Sequence, residues 1–170
     1  MATASNSPIL RFYSGIGPDH RGRYLRDMLD WDDVQLESTH DYIQWLFPTS
    51  KSSGFNPYAP VLTPDDMAQF RGSDELKSNL REAFVVMLRF YGFQLQESEI
   101  QPSADWESRS TIWLRPDNHN HLRITRILTA LSFLGCHDLA AAFLAALEKI
   151  GDDAISKETR TFWRRAVRHS

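Results

Sequence analysis

Apolar residues recur at helical spacing along most of the chain, while period-two alternation is almost absent. The clearest case follows Ser73. Leu76, Leu80, Ala83, Phe84, Met87, Leu88 and Tyr91 repeat at three and four, and Gly92 stands where a left-handed helix terminator belongs. A second run, Leu122, Ile124, Ile127, Leu128, Leu131 and Leu134, begins after Asn118 or Asn120 and closes at Gly135. A third, Leu139, Ala142, Phe143, Ala146, Leu147 and Ile150, opens at Asp138 and stops at Gly151, so the two predict an αα-hairpin with a short link. A last helix starts at Ser156 and carries Phe162, Trp163, Ala166 and Val167 on one side. Arg160, Arg164, Arg165 and Arg168 lie mostly on the other.

The first half is more broken. Ile9 to Tyr13 is a short apolar run, and a helix is expected from about Arg21 to Leu29 through Tyr24, Leu25, Met28 and Leu29. Asp32 is an N-cap candidate. A further start at Ser38 or Thr39 leads into Tyr42, Ile43, Trp45, Leu46 and Phe47, stopped by Pro48. Residues 48–63 read as a loop rich in Ser and Pro, yet Phe55, Tyr58, Val61 and Leu62 predict that it lies against the core. Thr63-Pro64 is a strong helix start, followed by Met67 and Phe70. Phe93 to Leu95 allows a short extended piece, and Ser103 caps a helix with Trp106, Arg109, Ser110 and Trp113 on one face. The pattern therefore predicts an all-α, single compact domain of about six to eight helices over residues 9–170, after a small, polar, disordered segment at 1–8.

Composition narrows the classes. A chain of 170 residues, 42% hydrophobic and with five Trp, can bury a core without disulfide or metal. A net charge of −3 argues for neither a nucleic-acid coat nor an acidic tail. Only four of the 19 basic residues are Lys, so Arg supplies most cations and its planar fork suits carboxylates. The one cysteine, Cys136, fits a reducing compartment. The opening MATASNSPIL lacks a basic start and an apolar run of signal-peptide length, and no stretch approaches a membrane span, which predicts a soluble intracellular protein.

The chemistry-bearing residues are few. No nucleophile elbow, phosphate loop or dinucleotide fingerprint is present. His119 and His121 are two apart, a spacing that splays side chains on a helix, and His40 sits beside Asp41. An enzyme or metal site using His40, Asp41 and His121 is one alternative; it requires those groups to converge. Spacing assigns no catalytic residue, metal or cofactor. The stretch from Trp31 to Phe47 puts Asp32, Asp33 and Asp41 among Trp31, Tyr42 and Trp45. Such a set can hold a cation between acids and ring faces. The same acids can cap helices while the same rings pack a core, and the residues by themselves favour that. A second alternative is nucleic-acid binding through the terminal Arg set, disfavoured because interleaved acids lower the local field.

Several runs resemble one known family. Pro18-Asp19-His20-Arg21-Gly22-Arg23, Trp31-Asp32-Asp33, Thr39-His40-Asp41-Tyr42-Ile43-Gln44-Trp45-Leu46-Phe47-Pro48, Asn56-Pro57-Tyr58-Ala59-Pro60 and Asn120-His121-Leu122-Arg123-Ile124-Thr125-Arg126-Ile127-Leu128 occur in the order found in the conserved N-terminal domain of the opioid growth factor receptor family. The resemblance implies a helical, non-enzymatic domain with a peptide or protein ligand. Animal members are receptors for met-enkephalin, associated with growth control and the nuclear membrane, and carry a long polar repetitive C-terminal region. On that resemblance this chain is expected to be the domain without that region. Candidate ligand-binding residues are Trp31, Asp32, Asp33, His40, Asp41, Tyr42, Trp45, Asn56, Tyr58, Asn120, His121, Arg123 and Arg126. Asp32, Asp33 and Asp41 are expected to hold positive charge, the rings to supply faces, and Arg123 and Arg126 to take a carboxylate.

Overall fold

In the computed structural model the described residues are 6–151 and 153–168. Among the described residues ten helices and one hairpin follow in order: α1 (Pro8–Tyr13), α2 (Leu25–Leu29), α3 (Asp33–Ser38), α4 (Ile43–Leu46), α5 (Pro64–Arg71), α6 (Asp74–Tyr91), β1 (Phe93–Gln96), β2 (Glu99–Pro102), α7 (Trp106–Trp113), α8 (Asn120–Phe133), α9 (His137–Glu148) and α10 (Lys157–Arg168). They group into two compact units divided between Ala83 and Phe84, a boundary that falls inside α6. No helix among the described residues is long and apolar enough to cross a membrane.

The first unit is built of short helices whose ends are set by local side chains. Asp32 accepts the Gln35 N–H at 2.8 Å while the Gln35 amide oxygen takes the Asp32 N–H at 3.1 Å, a reciprocal cap that starts α3. Thr63 and Asp66 do the same for α5, with Pro64 at the first helical position. α2 is shorter than the expected Arg21–Leu29 helix. The Asp19 carboxylate accepts the N–H groups of Arg21 and Arg23, both at 2.9 Å, and so holds that stretch as a loop until Leu25. The apolar run at Ile9 to Tyr13 is helical, because Pro8 can occupy the first position of α1. Residues 1–5 of the segment expected to be disordered lie outside the described residues, and Pro8 already belongs to α1.

Buried rings fill this unit. Phe12 meets Tyr13 and Trp45 edge-on at 5.7 and 5.3 Å, and Tyr13 meets Phe70 at 5.2 Å. The Tyr13 hydroxyl donates to the Leu46 carbonyl at the end of α4. The 48–63 loop is pinched at its base by a bridge between Thr49 and Val61, with Leu62 N–H on the Thr49 carbonyl at 2.9 Å. Leu62 is buried, but Phe55 is 89% exposed and Tyr58 68%. The expectation that the apolar loop lies on the core thus holds for its base and fails for its tip. A pinned base leaves the tip to reach outward.

The second unit corrects the all-α expectation. β1 and β2 form an antiparallel hairpin in the register Phe93↔Pro102, Gln94↔Gln101, Leu95↔Ile100 and Gln96↔Glu99, around a two-residue turn with Glu97 at φ 55°. Phe93 and Ile100 are its buried positions. Each strand is four residues long, too short for alternation to stand out from the surrounding polar residues. α8 packs against both α9 and α10. Ser156 caps α10 by accepting the Thr159 N–H at 3.0 Å. The Trp106, Trp113, Phe93, Tyr91 and Phe143 rings contact one another with centroids 4.9 to 6.2 Å apart.

Gly92 joins α6 to the hairpin at φ 95°. A β-carbon there would also meet the Arg109 Cβ, the Trp106 Cα and the Trp106 ring, each at 3.2 Å. Gly15 has φ 76° and open space around it. Gly92→Ala is therefore expected to lose about 3 kcal/mol, combining the left-handed penalty with overpacking. Gly15→Ala carries the first cost alone, about 1 kcal/mol. Denaturant melts of the two variants check this; equal losses would show that the contacts at Gly92 yield freely.

Candidate functional site

The loop held by Asp19 presents His20, Arg21 and Arg23 to the chain around Asp41. Arg23 places Nε and Nη2 on Asp19 Oδ2, each at 2.7 Å, and Nη1 on Asp41 Oδ1 at 3.0 Å. Arg21 Nε lies 2.6 Å from Asp41 Oδ2, and His20 Nε2 lies 3.5 Å from the same oxygen. Burial by itself raises the Asp41 carboxyl, but the hydrogen bond and charge of Arg23, with Arg21 and His20, outweigh it and hold the group below the ordinary carboxylate value. Burial likewise lowers the Arg23 guanidinium, and its two carboxylates more than reverse that. Asp41 is therefore a carboxylate already matched by cations.

His20 forms the edge of an open cleft. The Trp45 indole N–H donates to His20 Nδ1 at 3.1 Å, which assigns the imidazole proton to Nε2, the nitrogen facing Asp41. The His20 ring lies nearly parallel to Tyr58, 5.3 Å away at 10°, and to Trp45, 6.1 Å away at 16°. His20, Trp45 and Tyr58 line a cleft of about 560 Å³ together with Pro8, Pro18, Pro60, Asp19 and Asp66. Asn56 holds the far side of the loop. Its Nδ2 donates to the Asp41 carbonyl and to Gln44 Oε1, both at 3.4 Å, and its Oδ1 accepts the Tyr58 N–H at 3.0 Å.

Of the sequence candidates, Trp45 and Tyr58 stand on the cleft wall. Asn56 and Asp41 brace it from behind. Asp32 caps α3, and Asp33 lies in its first turn. Trp31 is half-buried, under the Arg23 guanidinium at 5.6 Å and edge-on to Tyr42 at 5.2 Å. Tyr42 is fully buried and donates its hydroxyl to the Leu36 carbonyl at 2.8 Å. His40 is exposed; the histidine that faces Asp41 is His20. The residues missing from the sequence list are thus Asp19, His20, Arg21 and Arg23. They do belong to the first of the family-like runs.

Asn120, His121, Arg123 and Arg126 belong to the second unit. His121 is 5% exposed, with its ring edge-on to Trp113 and Trp163. Its Nε2–H donates to the Trp113 carbonyl at 2.8 Å, while its own carbonyl accepts the Trp163 indole N–H at 3.1 Å. Asn120 is fully buried, with its Oδ1 3.4 Å from both the Tyr91 hydroxyl and Arg123 Nη1. Arg126 is half-buried, and that burial lowers its pKa. In the terminal Arg set, Arg160 donates to the Ile150 carbonyl at 2.6 Å and Arg164 grips Glu148 at 2.6 and 3.2 Å. Among the described residues no group of three His, Cys, Asp or Glu side chains could hold a metal ion.

Two pH effects follow. Asp41 stabilises the fold above the unfolded carboxylate value of about 3.9, and that contribution is lost as pH falls through its lower folded value. Asp41→Asn is expected to cost about 2 kcal/mol at pH 7, with the gap to the parent closing in acid; a gap constant with pH would refute the ion-pair account. For His121, burial lowers the pKa, against the raising effect of the Trp113 carbonyl. The unfolded chain then takes up a proton near pH 6.5 that the folded chain does not. Its contribution is therefore intact above that pH and falls as pH drops toward the folded value. Melting temperatures from pH 7.5 down to 5 should fall less steeply in His121→Gln; parallel curves would contradict this.

Comparison with known proteins gives a consistent result. The model of a family described as "Opioid growth factor receptor (OGFr) conserved region" matches residues 4–162. Opioid growth factor receptor-like protein 1 of Mus musculus is 37% identical over 134 residues, covering 74% of this chain and 28% of that protein. Opioid growth factor receptor of Homo sapiens is 36% identical over 143 residues, covering 80% of this chain and 21% of that protein. The chain thus spans about a quarter of the length of these curated relatives. No solved structure matches.

Proposed function

Because this chain belongs to the opioid growth factor receptor family, we propose that it is a non-enzymatic binding domain whose ligand surface is the aromatic cleft of the first unit. One observation carries this reading: His20, Trp45 and Tyr58 turn three rings toward one cleft of about 560 Å³, with Tyr58 68% exposed. Trp45 itself is only 5% exposed, so Tyr58 is the ring that offers most free face, and a ring held by a fixed frame supplies contact area at little entropic cost. The Homo sapiens relative is named opioid growth factor receptor, and we extend a peptide ligand to this chain on that likeness.

In this reading an aromatic or apolar side chain of the peptide enters between Tyr58 and the Pro8, Pro18 and Pro60 walls. Of the two acids of the lining, Asp19 is already paired with Arg23 and its side chain is fully buried, so the peptide's amino group lies toward Asp66. Asp41, already matched by Arg21 and Arg23, acts by holding the His20 ring. Intracellular placement accompanies the proposal, resting on the single cysteine.

The test is calorimetric titration and thermal shift with Tyr-led pentapeptides of the enkephalin type. At a hundred times its dissociation constant a ligand stabilises the fold by about 2.7 kcal/mol. Tyr58→Ala should abolish that shift, because the ring is exposed and its removal leaves the core intact. Leu122→Ala, 64% exposed in the second unit, should leave it unchanged. Silence across the peptides, or equal binding by the Tyr58 variant, would overturn the reading.

A further inference from the structure

We propose that the second unit carries its own ligand site, a cavity for a flat, uncharged, apolar small molecule. A cleft of about 700 Å³ opens between the hairpin, the two ends of α7 and the C-terminal end of α9. Its volume lies inside the range of small-molecule sites, roughly 300 to 1,000 Å³. Phe93, Ile100 and Ala146 are buried residues of its lining, while Trp106 and Leu114 are half-exposed. Trp106 is steadied by Phe93 at 4.9 Å and Trp113 at 6.0 Å, so its ring is fixed while part of it stays open.

The charge of the lining selects the ligand class. Lys149 and Asp153 are its charged members among the described residues; both are exposed and they have opposite sign. Two exposed charges of opposite sign lend the described lining little pull on an anion. A ligand that leaves water for this cleft is therefore held by apolar area and ring contacts, which favours a planar neutral body over an ionised one. The site is independent of the aromatic cleft of the first unit, since the two share no residue.

The experiment titrates the whole chain with N-phenylnaphthylamine, a neutral fluorescent aromatic, and in parallel with anilinonaphthalene sulfonate, its anionic counterpart. The expected result is saturable binding of one neutral probe per chain, with the sulfonate at least about tenfold weaker. Leu114→Arg should weaken the neutral probe at least about tenfold by placing a charge in the wall. Pro102→Trp, at an exposed edge of the hairpin, should do the same by filling the space. Melting curves establish that each variant is folded, and either folded variant suffices. Tyr58→Ala should bind the probe like the parent, which separates this site from the peptide cleft. Non-saturable uptake, a sulfonate bound as tightly as the neutral probe, or unchanged binding in a folded cleft variant would overturn the proposal.

Discussion

Short helices end in carbonyl groups that no turn of the helix can satisfy, and this chain meets that constraint repeatedly with side chains from elsewhere. The Tyr42 hydroxyl takes the Leu36 carbonyl near the end of α3, and Tyr13 takes that of Leu46 at the end of α4. Asn79 takes the carbonyl of Tyr13, the last residue of α1, at 2.8 Å. In the second unit the Trp113 indole takes the Tyr91 carbonyl at the end of α6, and His121 takes that of Trp113 at the end of α7. Arg160 takes the Ile150 carbonyl beyond α9, and His137 takes the Val167 carbonyl in the last turn of α10 at 3.1 Å. A buried ring with one donor is suited to this work. Its apolar body fills the core and its single N–H or O–H has one partner to find.

The two candidate regions read from the sequence differ in how completely this work consumes them. Tyr42, Asn120 and His121 spend their polar atoms inside the fold and have little surface left. Trp45 gives its N–H to His20, yet the pair still lines an open cleft. Tyr58 is different again, because a pinned loop base and the Asn56 amide fix its backbone while the ring stays exposed. A rigid frame with an exposed ring face is what distinguishes a binding surface from core in this molecule.

Charge is handled in the same economical way. Arg23 bridges Asp19 and Asp41 with its forked donors, a geometry that a single ammonium could not reproduce. Asp19 meanwhile accepts two backbone N–H groups and ends the preceding loop in one fixed form. The local Arg excess seen in composition thus has a structural use here, and Arg160 and Arg164 repeat it at the end of α9. Half of the terminal Arg set is therefore engaged in holding helices together, which leaves Arg165 and Arg168 on the exposed face.

What the sequence determined by itself was whatever is written within a few residues of the chain. The Thr63 cap, the Ser156 cap and the left-handed Gly92 follow from spacing that spans three or four positions. The long helical periods of α6, α8 and α9 and the family-like runs were legible for the same reason. Tertiary structure alone decided which histidine faces Asp41. His40 is its neighbour in sequence, but an Asp19-held loop brings His20 there from 21 residues away. It also decided that Tyr42 is core while Tyr58 is surface, although both are aromatic residues of family-like runs. Neither outcome is coded locally, because burial and the meeting of distant side chains depend on how separate segments pack, and a pattern of residue types fixes only which face of each segment seeks a partner.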